Sequence, residues 1–418
     1  MHIIFFILKP PFETTYLPSH DYIISICILC QPVCLTQVYP DGRIKKAKGY
    51  KMRKNFQVLI KPASSLCNMN CKYCFYDDVS NNRNIKSYGI MPQDTSYKII
   101  DRALEVCTNG EIGFSFQGGE PTLAKLDFFE NFIEYALKVK TSKIKYTYTI
   151  QINGLLIDEQ WCRFFKSNDF LVGVSLDGIK ETHDELRKDN NKKGTFNRIM
   201  NNIKLLKKHK VPYNILTVVT KYNARRPQSL WNMYEKNGYD YVQLIPCLSP
   251  LNMPYSDDLY ALEDKAYAEF LKTFYDIWLD KYNQGKYISV RMFDNLIKMC
   301  AGYPAEQCGM MGFCQAQFII ESDGSVYPCD FYVLDKYCGG TVQESSFETI
   351  FKSDGFKTFM TDNSDKNPMC ETCEVKSFCN GGCKRYRYFY FQKEGYCPQK
   401  DFLIHAIPSM KQLAASLR

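Results

Sequence analysis

The stretch Cys67-Asn68-Met69-Asn70-Cys71-Lys72-Tyr73-Cys74 carries three cysteines at spacings of four and three residues, and the rest of the chain is read outward from it. Four-iron clusters are normally held by four thiolates, so three would leave one iron open to a substrate or cofactor. A zinc site asks for something different: four closed ligands, or an open position completed by nitrogen or oxygen donors. Tyr73 just before the third cysteine, with Phe75 and Tyr76 after it, supplies aromatic walls against water.

The chain has 418 residues, enough for one large barrel and an appended domain. Its 19 cysteines are too many for an ordinary cytosolic enzyme. A secreted disulfide protein fits poorly, since the count is odd and a chain this long builds a core without staples. Clustered spacings favour metal in a reducing cytoplasm.

Residues 1–51 differ in character from the remainder of the chain. Residues 3–8 are apolar and 22–40 carry no charge, but no basic region opens the chain as a signal peptide requires. Gln31, Pro32, Thr36 and Gln37 interrupt the only stretch long enough for a membrane span, so no membrane partner is expected. Cys27, Cys30 and Cys34 have ligand-like spacing without a fourth ligand. We read 1–51 as an untranslated or disordered extension, with the functional start at Met52, because Lys48-Gly49 can be encoded as a ribosome-binding sequence.

From Phe56 the chain alternates strand-like and helix-like stretches, the pattern of a parallel α/β fold. Strands are expected at 57–60, 112–116, 145–151, 171–176, 212–219 and 241–245, and helices at 92–106, 126–140, 158–167, 195–210 and 227–236. Six such units suit a partial (β/α)6 TIM-like barrel over 52–258. Chemistry in such folds collects at the C-terminal strand ends. There lie the cysteine loop, Gln117-Gly118-Gly119-Glu120-Pro121 and Ser175, with Arg187 in the loop beyond. The glycine pair offers backbone groups unobstructed by side chains, suited to an amino group. Arg187 offers a planar fork suited to a carboxylate.

A helical linker is expected at 259–307, a cysteine-rich domain at 308–399 and a C-terminal helix at 400–418. Cys308, Cys314 and Cys329 come first, then Cys370, Cys373, Cys379 and Cys383, with Cys397 beyond. Eight thiolates make two complete four-iron sites, and Gly381-Gly382 permits a tight turn around one. Spacing leaves open which four belong together. Cys107, Cys162, Cys247, Cys300 and Cys338 read as small core residues. Eleven ligating thiolates, set against about +2 per oxidised core, bring the formal charge of +8 to about +3. No dense basic stripe exists either, so nucleic acid is not expected as a partner.

The CxxxCxxC loop with its aromatic, followed by Gly118-Gly119-Glu120, resembles the radical S-adenosylmethionine enzymes. The C-terminal cysteine run is similar to the SPASM domain of those members that modify peptides and proteins. Residues 59–65, 84–91 and 321–336 resemble the anaerobic sulfatase-maturating enzymes in particular. Ile152 departs from the threonine usual there. The resemblance implies three four-iron clusters and S-adenosylmethionine as cofactors. Cys67, Cys71 and Cys74 would hold the first cluster, Cys308, Cys314, Cys329 and Cys383 the second, and Cys370, Cys373, Cys379 and Cys397 the third. It also implies S-adenosylmethionine contacts from Tyr73, Gly119, Ser175, Arg187 and Leu248. Asp330, fixed beside a ligand, would be the catalytic base, and Tyr76 and Gln117 are candidates for the peptide side of the cavity. The expected activity is oxygen-independent oxidation of a cysteine or serine in a Cys/Ser-x-Pro/Ala-x-Arg segment to Cα-formylglycine. Unfolded sulfatase polypeptide would be the substrate, and a flavodoxin or ferredoxin the electron donor. A maturase crosslinking a ribosomally made peptide shares the clusters but usually brings a peptide-binding domain. A plain electron carrier has no use for an open iron or GGEP.

Overall fold

Strands buried on both faces read as continuous apolar runs, and Phe-Leu-Val-Gly-Val-Ser at the centre of this chain does so. In the computed structural model, which describes residues 55–251, 260, 262–362 and 367–416, that run is one of six parallel strands. They are β1 (Asn55–Ile60), β3 (Gly110–Phe116), β4 (Ile144–Ile152), β5 (Phe170–Ser175), β7 (Tyr213–Val219) and β8 (Tyr241–Pro246), hydrogen-bonded in that order. Between β1 and β3 come β2 (Met69–Cys71) in the cysteine loop, α1 (Phe75–Asn81) and α2 (Gln93–Val106). The other crossovers are α3 (Leu126–Val139), α4 (Glu159–Ser167), α5 (Lys180–Leu186) with β6 (Arg187–Asp189), α6 (Phe196–Lys208) and α7 (Pro227–Asn237).

Local chemistry sets these boundaries. Asp158 caps α4 by accepting from the Gln160 and Trp161 amides at 2.8 and 2.9 Å. Pro227 opens α7, and Gly238 closes it at φ 61°, a left-handed conformation that costs glycine little. On α3 the buried stripe Phe128, Phe129, Phe132, Ile133 and Ala136 follows helical periodicity. Phe129 and Phe132 meet Phe116 edge-on at 5.1 Å, so helix and sheet share one aromatic core.

Beyond the barrel, α8 (Asp264–Asn283), β9 (Ser289–Val290) and α9 (Arg291–Cys300) precede the cysteine-rich region. That region begins with a hairpin, β10 (Ile319–Ile320) and β11 (Val326–Tyr327). Short helices come next: α10 (Phe347–Phe351), α11 (Asp354–Thr361), α12 (Lys376–Cys379) and α13 (Lys384–Tyr390), before the long α14 (Pro398–Ser416). The hairpin is not a separate layer. It extends the barrel sheet, with Leu59 and Ile60 of β1 in parallel register with Ile319 and Ile320 of β10. At the opposite edge β9 pairs with β8, giving nine strands in order β11-β10-β1-β3-β4-β5-β7-β8-β9. The start expected at Met52 and the extension 1–51 lie outside the described residues. No helix among the described residues is long and apolar enough to cross a membrane.

Candidate active site

The cysteine loop is pinned from three sides. Its strand β2 pairs antiparallel with β6, bringing Cys71 opposite Arg187. That corrects the sequence-based placement of Arg187 in a loop: it is a strand residue built against the cluster motif. Asn153, just beyond β4, donates to Asn68 at 2.7 Å and approaches the Cys67 sulfur at 3.7 Å. The preceding Ile152 is buried in the core. The third side is Gly119, whose amide donates to the Ser64 carbonyl at 2.8 Å. A Cβ on Gly119 would stand 2.1 Å from the Leu66 carbonyl oxygen, so only glycine lets the turn after β3 close on the loop.

Glu120 is spent on holding this arrangement. Its side chain is fully buried, accepting from the Thr122 amide at 3.1 Å and the Asn153 amide at 2.7 Å. Burial raises its pKa, and those donors pull it back down. The Gly119 and Glu120 amides donate to the carbonyls of Ser64 and Leu66, which lead into the cysteine loop.

Behind the loop lies a buried polar web. Tyr73 donates its hydroxyl to Asp177 Oδ2 and accepts from Arg187 Nη1 at 3.1 Å, while Arg187 and Asp177 stand 3.8 Å apart. Burial pushes the Asp177 carboxyl up to about 6, against the opposing pull of Arg187 and the Val218 amide. His183 locks the far side: its Nδ1 accepts from the Asp177 amide at 3.1 Å. The ring proton is therefore on Nε2, facing Thr195 Oγ1 at 3.0 Å, and Thr195 donates onward to the Arg187 carbonyl at 2.9 Å. Burial and then the Arg187 charge hold His183 well below its ordinary pKa, so it stays neutral. Ser175, at the end of β5, accepts from Gln151 at 3.2 Å. Leu248, beyond β8, packs partly buried against the core.

A second buried cluster joins the barrel to the cysteine-rich region. Lys61, Gln117 and Glu321 are each the first residue past the C-terminal end of a neighbouring strand, because Ile60 registers with both Phe116 and Ile320. Asp330, 3% exposed, faces them. Its Oδ1 lies 3.1 Å from Lys61 Nζ, and its Oδ2 accepts from Tyr76 at 2.6 Å and Gln117 at 3.4 Å. Lys61 also stands 3.6 Å from Glu321, which Arg83 bonds at 2.7 Å. Burial and then the Asp330 charge push the Tyr76 phenol well up, so it is a donor throughout the neutral range. The Gln117 Oε1 atom is buried without a partner, an acceptor available beside the carboxylate.

Eight of the remaining cysteines line two cavities. One of about 560 Å³ is lined by Cys308, Cys314, Cys329 and Cys383, with Asp330 in its wall. Another of about 420 Å³ is lined by Cys370, Cys373, Cys379 and Cys397. None of the described cysteines is in a disulfide. Burial pushes Cys314 up to about 12 and Cys397 up to about 11, and the other thiols of each set push further. In the loop, burial raises Cys67 to about 12 and Cys71 to about 11. Among the described residues no three cysteine, histidine or carboxylate side chains gather as tightly as one metal ion requires. Buried thiols spread around a cavity, each disfavouring ionisation of the next, fit a polynuclear cationic core as ligands.

Comparison with known proteins bears on the same residues. The Radical SAM superfamily model matches 62–230, and the iron-sulfur cluster-binding domain model named SPASM matches 308–374. The cysteine-type anaerobic sulfatase-maturating enzyme of Clostridium novyi (strain NT) is 46% identical over 336 residues, 79% of this chain and 88% of that one. This chain belongs to the anaerobic sulfatase-maturating enzymes. The cysteine-type sulfatase-maturating enzyme of Clostridium perfringens (strain ATCC 13124) is 40% identical over 366 residues, 86% of this chain and 99% of the relative. A solved structure of native anSMEcpe with bound AdoMet and Kp18Cys peptide superposes with a TM-score of 0.80 at 38% identity, covering 87% of this chain and 99% of that one.

Several parts of this sulfatase-maturating site escape a reading of the sequence. Lys61 and Glu321 lie in stretches that carry the family resemblance and Arg83 just before one, yet nothing local tells that they meet. Tyr76 and Gln117, expected on the peptide side, turn out to be hydrogen-bond donors to Asp330, which puts them beside the candidate base. Asp177, His183 and Thr195 give no signal beyond an Asp-Gly turn.

Proposed function

We propose that this chain oxidises a cysteine of an unfolded sulfatase polypeptide, within a Cys-x-Pro/Ala-x-Arg segment, to Cα-formylglycine without oxygen. The observation that carries this is the meeting of Asp330 with Lys61, Tyr76 and Gln117 at the C-terminal strand ends, one turn from the cysteine loop. Family membership supplies the reaction class, and the relatives at 46% and 40% identity are cysteine-type enzymes, whereas a serine-type relative matches at 30%. The partners proposed are a sulfatase segment and a flavodoxin or ferredoxin, in the cytoplasm.

We assign Cys67, Cys71 and Cys74 to a three-ligand cluster, and the two four-cysteine cavities to auxiliary clusters, three in all. When bound, the first cluster and S-adenosylmethionine supply hydrogen-atom abstraction from the substrate Cβ. Tyr73, Gly119, Ser175, Arg187 and Leu248 are assigned to S-adenosylmethionine. Carbonyls of the Gly118-Gly119 turn would accept from its amino group, and Arg187, held by Tyr73 and Asp177, would meet its carboxylate. Asp330 takes the thiol proton; the auxiliary sites, when loaded, would supply the acceptor for the second electron, and water would hydrolyse the resulting thioaldehyde to the aldehyde with release of sulfide. Lys61 offsets the cost of burying that carboxylate, and the Tyr76 and Gln117 donors fix the direction of its lone pairs. Asp330 also borders the cavity of Cys308, Cys314, Cys329 and Cys383, so the base and the first auxiliary site share a wall.

The test is anaerobic incubation of reconstituted protein with S-adenosylmethionine, a reductant and matched Cys-x-Pro-x-Arg and Ser-x-Pro-x-Arg peptides. Formylglycine from the cysteine peptide, read by mass, is expected at the faster rate. Deoxyadenosine without peptide oxidation would overturn the reading, and preference for serine would overturn the cysteine-type assignment.

A further inference from the structure

The two four-cysteine sets touch at one turn. Cys379 lines one cavity and Cys383 the other, and only Asn380-Gly381-Gly382 separates them. All three linking residues are left-handed, with φ of 48°, 88° and 74°. Such a run needs outside support. Asn380 Nδ2 donates to the Met310 carbonyl at 2.8 Å. The rest comes from Arg387, 6% exposed, whose Nε donates to the Gly381 carbonyl at 2.9 Å and whose Nη2 reaches the Gly382 carbonyl at 3.3 Å.

That side chain stands at the boundary of the two sites. Arg387 is in the wall of the Cys308, Cys314, Cys329 and Cys383 cavity, and Gly381 is in the wall of the other. The point where a Cβ on Gly381 would stand is 3.7 Å from Cys370 Sγ and 3.8 Å from Arg387 Nη2. The neighbouring Lys384, paired with Asp362 at 2.7 Å, lines the Cys308, Cys314, Cys329 and Cys383 cavity too, but not the Cys370, Cys373, Cys379 and Cys397 cavity.

We infer that Arg387 is a shared positive charge between the two auxiliary cluster sites, easing the reduction of each. The inference rests on reading both cysteine sets as iron–sulfur sites. A cluster gains negative charge on reduction, and a fixed cation in a poorly polarisable interior favours the reduced form of whatever lies on either side of it. Arg387 is thus a tuning residue that touches neither substrate nor S-adenosylmethionine.

The experiment uses the full reconstituted chain with Cys67, Cys71 and Cys74 replaced by alanine, leaving only the auxiliary signals. Redox titration followed by electron paramagnetic resonance reads both midpoints, and iron analysis reads occupancy. Arg387→Gln should lower the reduction equilibrium of both clusters by about tenfold each, about 59 mV for a one-electron couple. Arg387→Lys, which keeps the charge, should hold both near the parent values. Iron lost from Arg387→Gln but retained by Arg387→Lys at unchanged midpoints supports the same reading, since charge is what the two differ in. Movement of one midpoint alone, or of neither with iron retained, would overturn the shared role. Iron lost from both variants would make Arg387 a clamp on the glycine turn instead. A parent with fewer than about eight irons would remove the auxiliary sites themselves, a failure distinguishable from that of Arg387.

Discussion

At the scale of single residues, Asp330 separates a chemical from a structural role. Asp330→Asn keeps the size and most hydrogen bonds but cannot take a proton at neutral pH. Peptide oxidation should fall by on the order of a hundredfold or more, the usual scale for losing general-base assistance. Cofactor cleavage to deoxyadenosine should persist, and iron should stay at the parent level, since no proposed ligand is altered. Mass analysis of the peptide and chromatography of the nucleoside, from one anaerobic reaction, give both numbers. Near-normal formylglycine would remove Asp330 from the mechanism. Lys61 poses the complementary question. Its ammonium is buried between Asp330 and Glu321, so Lys61→Met leaves two buried carboxylates with Arg83 as the cation bonded to one of them. Breaking such a set from one side typically costs about 3–5 kcal/mol. The urea midpoint of the anaerobic holoprotein should drop accordingly, and Asp330→Asn in the same chain should recover part of the loss. Additive losses would mean that the two side chains do not communicate.

At the scale of elements, the turn after β3 is the joint between sheet and cysteine loop. Gly119 contributes by what it lacks, since Leu66 occupies the place of its Cβ. Gly119→Ala must therefore push the loop away from the strand ends. The expected result is loss of iron from the Cys67, Cys71 and Cys74 site, about four of the total, with the other sites unchanged. Gly395→Ala is the control: its φ of 74° brings similar backbone strain, but nothing stands within 4 Å of the added carbon. Full iron in Gly119→Ala would show that the loop tolerates displacement. The ribbon of β2 and β6 is a second joint. By pairing Cys71 with Arg187 it makes the position of the guanidinium a matter of backbone register rather than of side-chain reach.

At the scale of the molecule, three cysteine sets predict about twelve irons per reconstituted chain. Replacing Cys67, Cys71 and Cys74 together by alanine should leave about eight and abolish cofactor cleavage. Only about four in the fully reconstituted parent would refute both auxiliary sites. Iron and sulfide analysis beside the optical spectrum decides between these counts.

What the sequence alone determined is whatever periodicity, spacing and local chemistry encode. The six parallel strands fall close to their expected limits, because β5 is apolar on both faces, β4 alternates with a period of two, and turn residues bound them. The cysteine loop, the GGE turn and the C-terminal cysteine run are contiguous, so their chemistry was legible in one dimension. Which thiols share a cavity was not, because spacing permits several partitions and only the family resemblance chose among them. Tertiary structure alone decided the surroundings of Asp330. Lys61, Gln117 and Glu321 are scattered along the chain, and they meet because β10 adds to β1 in parallel register, a pairing with no local signal. The same holds for Arg187, which reads as a loop residue until β6 pairs with β2. Long-range strand pairing is settled by the burial of whole faces, and no segment carries that information by itself.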